Sequence, residues 1–158
     1  MEKHKSTFVI QSDISLDDIT SHLSKGLSLD LADSGGRTLL MQAVIDRALN
    51  IAEFLIKMGA NINLRDIRLW TALHFAVQNG DLQMTKLLVE NGAEVNASDV
   101  AGNSVLARAV FSSKGKGDVI KYLLRHDADI NQANNFGITP IGLARSISNY
   151  DLAQYFQA

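Results

Sequence analysis

The residues of this chain that could take part in metal binding or catalysis are its histidines, and their spacing supports neither. Metal-binding histidines commonly recur within one helix turn, so that both imidazoles reach the same ion. His22, His74 and His126 share no such spacing, and the absence of cysteine excludes thiolate metal sites and disulfides. Catalysis would also need a nucleophile oriented by a base inside a pocket. No motif of that kind is present, so we expect no enzyme activity, no metal and no cofactor.

A glycine- and lysine-rich segment at residues 114–117 invites comparison with a phosphate-binding loop. That loop requires the pattern G-x-x-x-x-G-K-[ST], whose glycines let the backbone approach the phosphates. Here Val110 occupies the position of the first glycine, and Gly117 follows Lys116 where serine or threonine is needed. We therefore predict a mobile, solvated loop at this point and no phosphate site.

The overall composition limits the kinds of partner. With 158 residues, 46% hydrophobic content and a net charge of −2, the chain is long enough for one core and has no electrostatic reason to bind nucleic acid or anionic membranes. The apolar run at residues 8–10 is too short for a signal peptide, and no run is long enough to span a bilayer. We expect a cytoplasmic protein with neither a membrane nor a nucleic acid as partner. Nucleic-acid binding stays the alternative from another class; its candidate residues are Lys114, Lys116, Lys121 and Arg125.

The clearest structural signal is a pair of short amphipathic helices in residues 66–97. Thr71 is an N-cap candidate for the first helix, which ends near Gly80, and Asp81 can cap the second. Gly92 supplies the left-handed residue that ends the second helix. Two helices of this size cannot bury their apolar faces alone, so the unit needs neighbours of the same kind.

Those neighbours recur with a period of 33 residues, and the pattern resembles the ankyrin repeat. The segment Thr71-Ala72-Leu73-His74-Phe75-Ala76 matches the T-P-L-H-x-A signature. Equivalent residues upstream are Thr38, Leu40, Ala43, Gly59, Ala60, Ile62 and Asn63; downstream they are Ser104, Leu106 and Ala109, and, after a two-residue insertion, Ala128, Ile130, Asn131, Thr139, Pro140, Ile141 and Ala144. The resemblance implies an all-α solenoid of stacked helix-turn-helix units with protruding turns or β-hairpin loops, and a function in protein binding.

The period divides the chain into an arm, a capping half-repeat and four repeats. Ser15 and Asp18 form a candidate capping box at the start of the half-repeat. Leu29 and Asp30 lie near the end of the half-repeat. Asp30, Asn63, Asn96 and Asn131 share one register position, where a short polar side chain can bond the neighbouring loop. The predicted boundaries are 1–14 for the arm, 15–32 for the half-repeat, 33–65, 66–98 and 99–133 for repeats 1 to 3, and 134–158 for repeat 4, which carries the C-terminal cap.

In ankyrin proteins partners are bound by the turn tips and by the exposed edge of each first helix. Carried over by position, the predicted partner-binding residues are Arg37, Ile45, Asp46, Ile67, Arg68, Trp70, Gln78, Asn79, Asn103, Phe111, Ser112, Phe136 and Ile138. Trp70 either anchors the partner or packs across adjacent turns on Arg37 and Asn103. Leu69 stands where the other turns have glycine, at a position that prefers positive φ.

The resemblance implies a non-enzymatic chain that binds another protein and acts by masking or bridging it, as an inhibitor or an adaptor. An immunity protein that neutralises a cognate toxin is an alternative of the same kind. We expect the chain to be monomeric on its own.

Overall fold

The fold is a row of short helices, seen in a computed structural model that describes residues 15–157; the predicted arm at residues 1–14 and the terminal Ala158 lie outside that range. The described residues contain no β-sheet, which confirms the all-α class. The elements are α1 (Leu16–Ser24), α2 (Leu39–Ile45), α3 (Leu49–Lys57), α4 (Ala72–Gln78), α5 (Leu82–Glu90), α6 (Val105–Ser112), α7 (Asp118–Leu124) and α8 (Pro140–Ser146), followed by a single 3₁₀ turn (Ala153–Phe156).

Most of the described helices begin at capping residues that the sequence pattern predicts; α3 and α7 begin after Ala48 and Gly117 without a side-chain cap. Ser15 accepts a hydrogen bond from the Asp18 N–H at 3.1 Å, and the Asp18 carboxylate accepts one from the Ser15 N–H at 3.1 Å, which completes the capping box. Asp81 accepts the Met84 N–H at 2.9 Å at the start of α5. Because each cap satisfies backbone donors that a helix N-terminus leaves free, these short helices have defined starting points. The first helices of repeats 1, 3 and 4 use the hydroxyls of Thr38, Ser104 and Thr139 in the same way.

The turn tips that precede α2, α4, α6 and α8 share one internal design. The first residue of each tip accepts the N–H groups of the residues two and four positions later, at 2.8–3.0 Å. These first residues are Asp33, Asp66, Asp99 and Asn134. Adjacent tips are joined by one backbone bond of 3.0 Å each, from Ile67 to Gly35, Val100 to Arg68 and Asn135 to Ala101. The tips therefore form a continuous row held by its own backbone.

The fourth residue of each tip has positive φ, as predicted. Gly36, Gly102 and Gly137 lie at 75°, 78° and 76°, and Leu69 adopts the same conformation at 60°. A side chain in this region costs on the order of 1 kcal/mol. Leu69 bears that cost while its side chain remains 42% exposed. Nothing in the folding of the tip requires a leucine there.

Two glycines at this register separate the cost of the backbone conformation from the cost of tip packing. A Cβ on Gly102 would lie 2.9 Å from the Asn135 backbone nitrogen, whereas a Cβ on Gly137 would meet nothing within 4 Å. We expect Gly137→Ala to lower the free energy of unfolding by about 1 kcal/mol, and Gly102→Ala by about 2–3 kcal/mol, because the latter also forces neighbouring tips apart. Urea denaturation measures both. Equal losses would show that the tips are not closely packed.

The loops on the other side of the second helices are joined by side chains, as the recurring polar position predicts. Asn63 accepts the Glu94 N–H at 2.9 Å and donates to the Gly92 carbonyl at 3.0 Å. Asn96 makes the equivalent pair of bonds to Asp129 and Asp127, and Asp30 accepts the Asn61 N–H at 2.8 Å. Repeats 1 and 2 are thus each bonded to the following repeat at both ends, whereas Asn131 at the same register bonds only within its own loop among residues 15–157.

The C-terminal end differs from the prediction in two ways. Repeat 4, expected like the others to pair two helices, has after α8 only the 3₁₀ turn, whose Tyr155 packs against the core. The loop at residues 114–117 is not simply solvated, because Tyr155 donates to the Gly115 carbonyl at 3.1 Å and its ring lies against Gly117. A Cβ on Gly117 would lie 2.5 Å from that ring. The insertion and the C-terminus therefore cover each other.

Candidate partner-binding surface

The turn tips and the adjoining edges of the first helices expose large apolar side chains. The exposed fractions are 73% for Ile67, 67% for Phe111, 78% for Phe136 and 46% for Ile138, all of them predicted site residues. Val100 and Leu69 add two further apolar side chains on the tips, at 59% and 42%. We call the surface formed by Ile67, Arg68, Val100, Arg108, Phe111, Phe136 and Ile138 the recognition face.

Trp70 does not belong to the exposed part of this face, and the expectation that it is exposed was wrong. Its side chain is only 8% exposed, in edge contact with Phe75 at 5.1 Å and stacked near His74 at 5.8 Å between ring centroids. The reason lies in the tip: the Trp70 N–H is bonded to Asp66, and the indole packs over the start of α4. The alternative of a packing role was right in kind. The indole contacts the rings of His74 and Phe75 and the guanidinium groups of Arg68 and Arg108, whereas the predicted partners were Arg37 and Asn103.

Two arginines lie over the Trp70 ring, Arg68 from the same repeat and Arg108 from the next one. The guanidinium carbon of Arg68 is 4.2 Å from the ring centroid, and that of Arg108 is 4.7 Å. Arg108 also lies 5.8 Å from the centroid of Phe111. Each contact of this kind contributes about 0.5–2 kcal/mol, depending on how far the cation is removed from water. Trp70 therefore fixes where the positive charge of the recognition face stands.

Sequence reasoning missed Arg108, which lies inside the apolar pattern of α6 between Ala107 and Ala109. The signal that could have found it is the charge itself, since an arginine flanked by buried alanines must either be paired or face a groove. Arg108 does both: its Nη2 is 3.1 Å from the Asp99 carboxylate, and its side chain lines a groove.

The carboxylates paired with these arginines are hidden behind them. The side chain of Asp66 is 2% exposed against 50% for Arg68, and that of Asp99 is 5% exposed against 19% for Arg108. Arg37 pairs with Asp33 at 3.0 Å in the same manner. Burial acts to raise the pKa of Asp99, but hydrogen bonds from Asn103, Ala101 and Arg108 outweigh it and lower that pKa below its usual value. A partner approaching this surface therefore meets guanidinium groups and not carboxylates.

A groove of about 230 Å³ lies between repeats 3 and 4. This volume is below the roughly 300 Å³ at which small-molecule sites begin, and it suits a single side chain of a partner. The Nε of Arg108 is buried beside the groove without a hydrogen-bond acceptor among residues 15–157. The lining residues are Asn103, Ala107, Arg108, Phe111, Asn134, Ile138 and Leu143.

The remaining predicted residues divide between the surface and the scaffold. Gln78 is exposed and accepts a hydrogen bond from the Ser112 hydroxyl at 3.2 Å, so these two residues connect repeats 2 and 3. Asn79 instead donates to the Val44 carbonyl at 3.1 Å and holds α4 to the end of α2. Ile45 and Asp46 are half-buried at the far end of α2, where Gln42 donates to Asp46 at 2.9 Å. Asn103 accepts from Asn134 at 2.8 Å at the edge of the groove.

His74 is part of the scaffold below this surface. It is fully buried, and its Nδ1 accepts the Thr71 N–H at 3.1 Å. Burial lowers the pKa of His74 to about 4. The nearby Asp99 carboxylate acts to raise this pKa, and the Arg108 guanidinium acts to lower it, both by less than burial does. Within the described part of the chain there is no group of three or more histidine, aspartate or glutamate side chains that could hold a metal ion.

A row of paired short helices with protruding, mutually bonded tips is a repeat architecture built for binding. Family models agree with this: one described as ankyrin repeats (3 copies) matches residues 64–134, and one described as ankyrin repeats (many copies) matches residues 23–73. The chain belongs to the ankyrin-repeat family, whose members generally serve as protein–protein interaction modules and are typically not enzymes. No curated protein sequence matches the chain. None of the helices in the described range is long and apolar enough to cross a membrane.

Proposed function

We propose that this chain binds a protein partner through the recognition face. The observation that carries the proposal is the concentration of exposed large apolar side chains on the tips and on α6, with Phe136 at 78% and Phe111 at 67% exposure. Leaving such side chains in water is unfavourable, and covering them with a partner lowers the free energy. On the second helices, by contrast, the exposed positions are mostly polar or charged.

The chemistry of this face matches that of protein interfaces. Binding energy concentrates in a few large residues, among which arginine and aromatic side chains are enriched, surrounded by contacts that exclude water. Arg68, Arg108 and Phe111 supply such residues, and Trp70 holds both arginines in place. Leu69 supports the same interpretation. Its strained backbone and exposed side chain do not favour folding, but the side chain would be favourably buried by a partner.

Binding of this kind acts by covering or bridging the partner, as an inhibitor or an adaptor does. An immunity protein is one form of inhibitor, in which the partner is a toxin whose active surface is masked. Both kinds of inhibitor would use the same face, and they differ only in the activity of the partner that is masked. A cytoplasmic location and a monomeric state stay predictions from the sequence.

Site-specific photo-crosslinking tests the proposal directly. We expect benzoylphenylalanine at position 111 or 136 to capture one discrete protein in cells, because these side chains would lie inside the interface. The same probe at Lys57 or Lys86, exposed on the second helices α3 and α5, is the matched control and should capture nothing specific. Capture at the second-helix positions alone would place the interface elsewhere. Crosslinks to nucleic acid and not to protein would favour the alternative class.

With the captured protein purified, Phe111→Ala is expected to weaken its affinity at least tenfold, since the exposed ring is placed as a central anchor. Met58→Ala is the matched control, because Met58 is also large, apolar and half exposed, yet lies at the end of α3. Isothermal titration calorimetry measures both. Losses of equal size for the two variants would contradict a defined recognition face.

A further inference from the structure

The positive charge of the recognition face comes from arginine alone. The four segments that form the tips and first helices, residues 33–47, 66–79, 99–112 and 134–147, contain arginine and no lysine. A guanidinium group is planar, weakly hydrated and able to form two parallel hydrogen bonds to one carboxylate, whereas an ammonium group acts as a hydrated point charge. This choice of residue fits the recognition of carboxylates more closely than a general attraction to anions.

The internal carboxylates leave the outer edges of two guanidinium groups available. Asp66 receives Arg68 through Nε at 3.2 Å and Nη2 at 3.1 Å, while its other oxygen accepts two backbone N–H groups of the tip. Asp99 receives Nη2 of Arg108 at 3.1 Å, and its other oxygen is likewise used by the tip. Both carboxylates are thereby committed to the fold. In neither arginine does Nη1 donate to these carboxylates.

The hydrogen bonding of Arg108 is incomplete at its Nε. Its Nε is buried beside the groove with no acceptor in the described part of the chain, and an unmet buried donor costs about 1–3 kcal/mol. The other side chains around the groove include Ala107, Phe111, Ile138 and Leu143, which offer apolar contact. The groove therefore presents apolar walls beside a guanidinium group whose Nε lacks an acceptor.

Arg68 and Arg108 act at one place because both lie over the same indole. Their guanidinium carbons stand 4.2 Å and 4.7 Å from the Trp70 centroid, so they are no further apart than the sum of those distances. We infer that the partner contacts this place with a large apolar side chain flanked by aspartate or glutamate. The apolar side chain occupies the groove, and the neighbouring carboxylates accept hydrogen bonds from Arg68 and Arg108. This inference rests on the proposed function, since it names the chemistry of the partner at the same face.

A set of three synthetic peptides tests the inference without the natural partner. They share a Leu-Phe centre with capped ends and differ in the flanking residues, which are glutamate, glutamine or lysine. Trp70 is the only tryptophan of the chain, so its fluorescence reports binding at this place. We expect the glutamate peptide to change that fluorescence saturably and to bind less tightly as salt is raised, the glutamine peptide to bind more weakly, and the lysine peptide not to bind.

Two charge-matched variants give the control. Arg68→Gln is expected to weaken binding of the glutamate peptide about tenfold, because charge-assisted hydrogen bonds are lost. Lys57→Gln removes one positive charge from an exposed position on α3 and should leave the affinity unchanged. Arg68 is suited to this test because its side chain is half exposed, and the buried Asp66 carboxylate keeps its two backbone N–H donors after the substitution. Circular dichroism confirms that each variant is folded.

The inference is overturned if the three peptides bind alike, if the lysine peptide binds most tightly, or if none gives a saturable signal at millimolar concentration. It is also overturned if oligouridylate displaces the glutamate peptide and binds more tightly, since that would make the arginines a phosphate site. Any of these results with protein crosslinks at positions 111 and 136 still present would remove the inference and leave the proposed function standing. Absent crosslinks would remove the proposed function itself.

Discussion

Replacing Trp70 with alanine is expected to lower the free energy of unfolding by about 3–5 kcal/mol, the range for truncation of a large buried aromatic side chain. The indole is 8% exposed and contacts His74, Phe75 and Arg68 of its own repeat and Arg108 of the next. Its removal would leave a cavity under the tip and free Arg68 and Arg108 from their positions. The effect on binding would then follow from loss of structure and not from loss of a partner contact.

Urea denaturation followed by circular dichroism measures this effect, because the variant lacks the only tryptophan and fluorescence cannot follow it. Phe111→Ala and Phe136→Ala are the controls: both rings are mostly exposed, and surface changes of this kind usually stay within about 0.5 kcal/mol. A loss below about 1 kcal/mol for Trp70→Ala would show that the indole is not part of the packed scaffold. Equal losses for all three variants would show that the recognition face itself stabilises the fold.

Acid is expected to destabilise the protein well before its aspartates protonate. His74 has a folded-state pKa of about 4, against an ordinary value of 6.5, because burial disfavours the imidazolium. The depressed value means that the unfolded chain binds a proton between pH 6.5 and 4 while the folded protein does not. Stability is therefore full above pH 6.5 and falls as the pH is lowered, by about 2–3 kcal/mol in total at pH 4.

Urea denaturation from pH 7 to pH 4 measures this loss, and NMR should show no titration of the His74 ring until close to pH 4. His74→Gln is the control, and its pH slope is compared in place of its absolute stability, since the substitution also disturbs the contact with Thr71. The hydrogen-bonded carboxylates of Asp33 and Asp99 have lowered pKa values, so they add their own loss only below about pH 4. An unchanged slope in His74→Gln would assign the acid sensitivity to another group.

The sequence could predict those parts of the fold that depend on local chemistry. Asp81 and the Ser15–Asp18 box cap helices because their side chains bond nearby N–H groups, and Leu69 adopts positive φ because it occupies a glycine register. The recurring Asn63 and Asn96 join neighbouring loops as expected, since the period fixes the distance between them. In each case the partner lies within one turn or one repeat.

The parts that could not be predicted depend on where long side chains turn. Trp70 occupies a position predicted to be exposed, yet its indole packs over α4, where it contacts the rings of His74 and Phe75 and the guanidinium groups of Arg68 and Arg108. Arg108 is invisible as a site residue because its role depends on Asp99 and on a groove formed with the next repeat. The contact between Tyr155 and Gly115 joins residues 40 positions apart, which no local pattern specifies.

The way in which the tips are bonded has a consequence for how such a protein changes over time. Each tip is held by its first residue and by one backbone bond to its neighbour, and at the second position only Asn135 adds a side-chain bond between described tips, donating to the Val100 carbonyl at 3.1 Å. Ser34, Ile67, Val100 and Asn135 occupy this position and differ widely in size and polarity, while the last three make the same backbone bond to the preceding tip. Mutation can therefore alter whom the protein recognises at small cost to its stability. Selection for a new partner and selection for a stable fold act on different residues of the same few-residue turn.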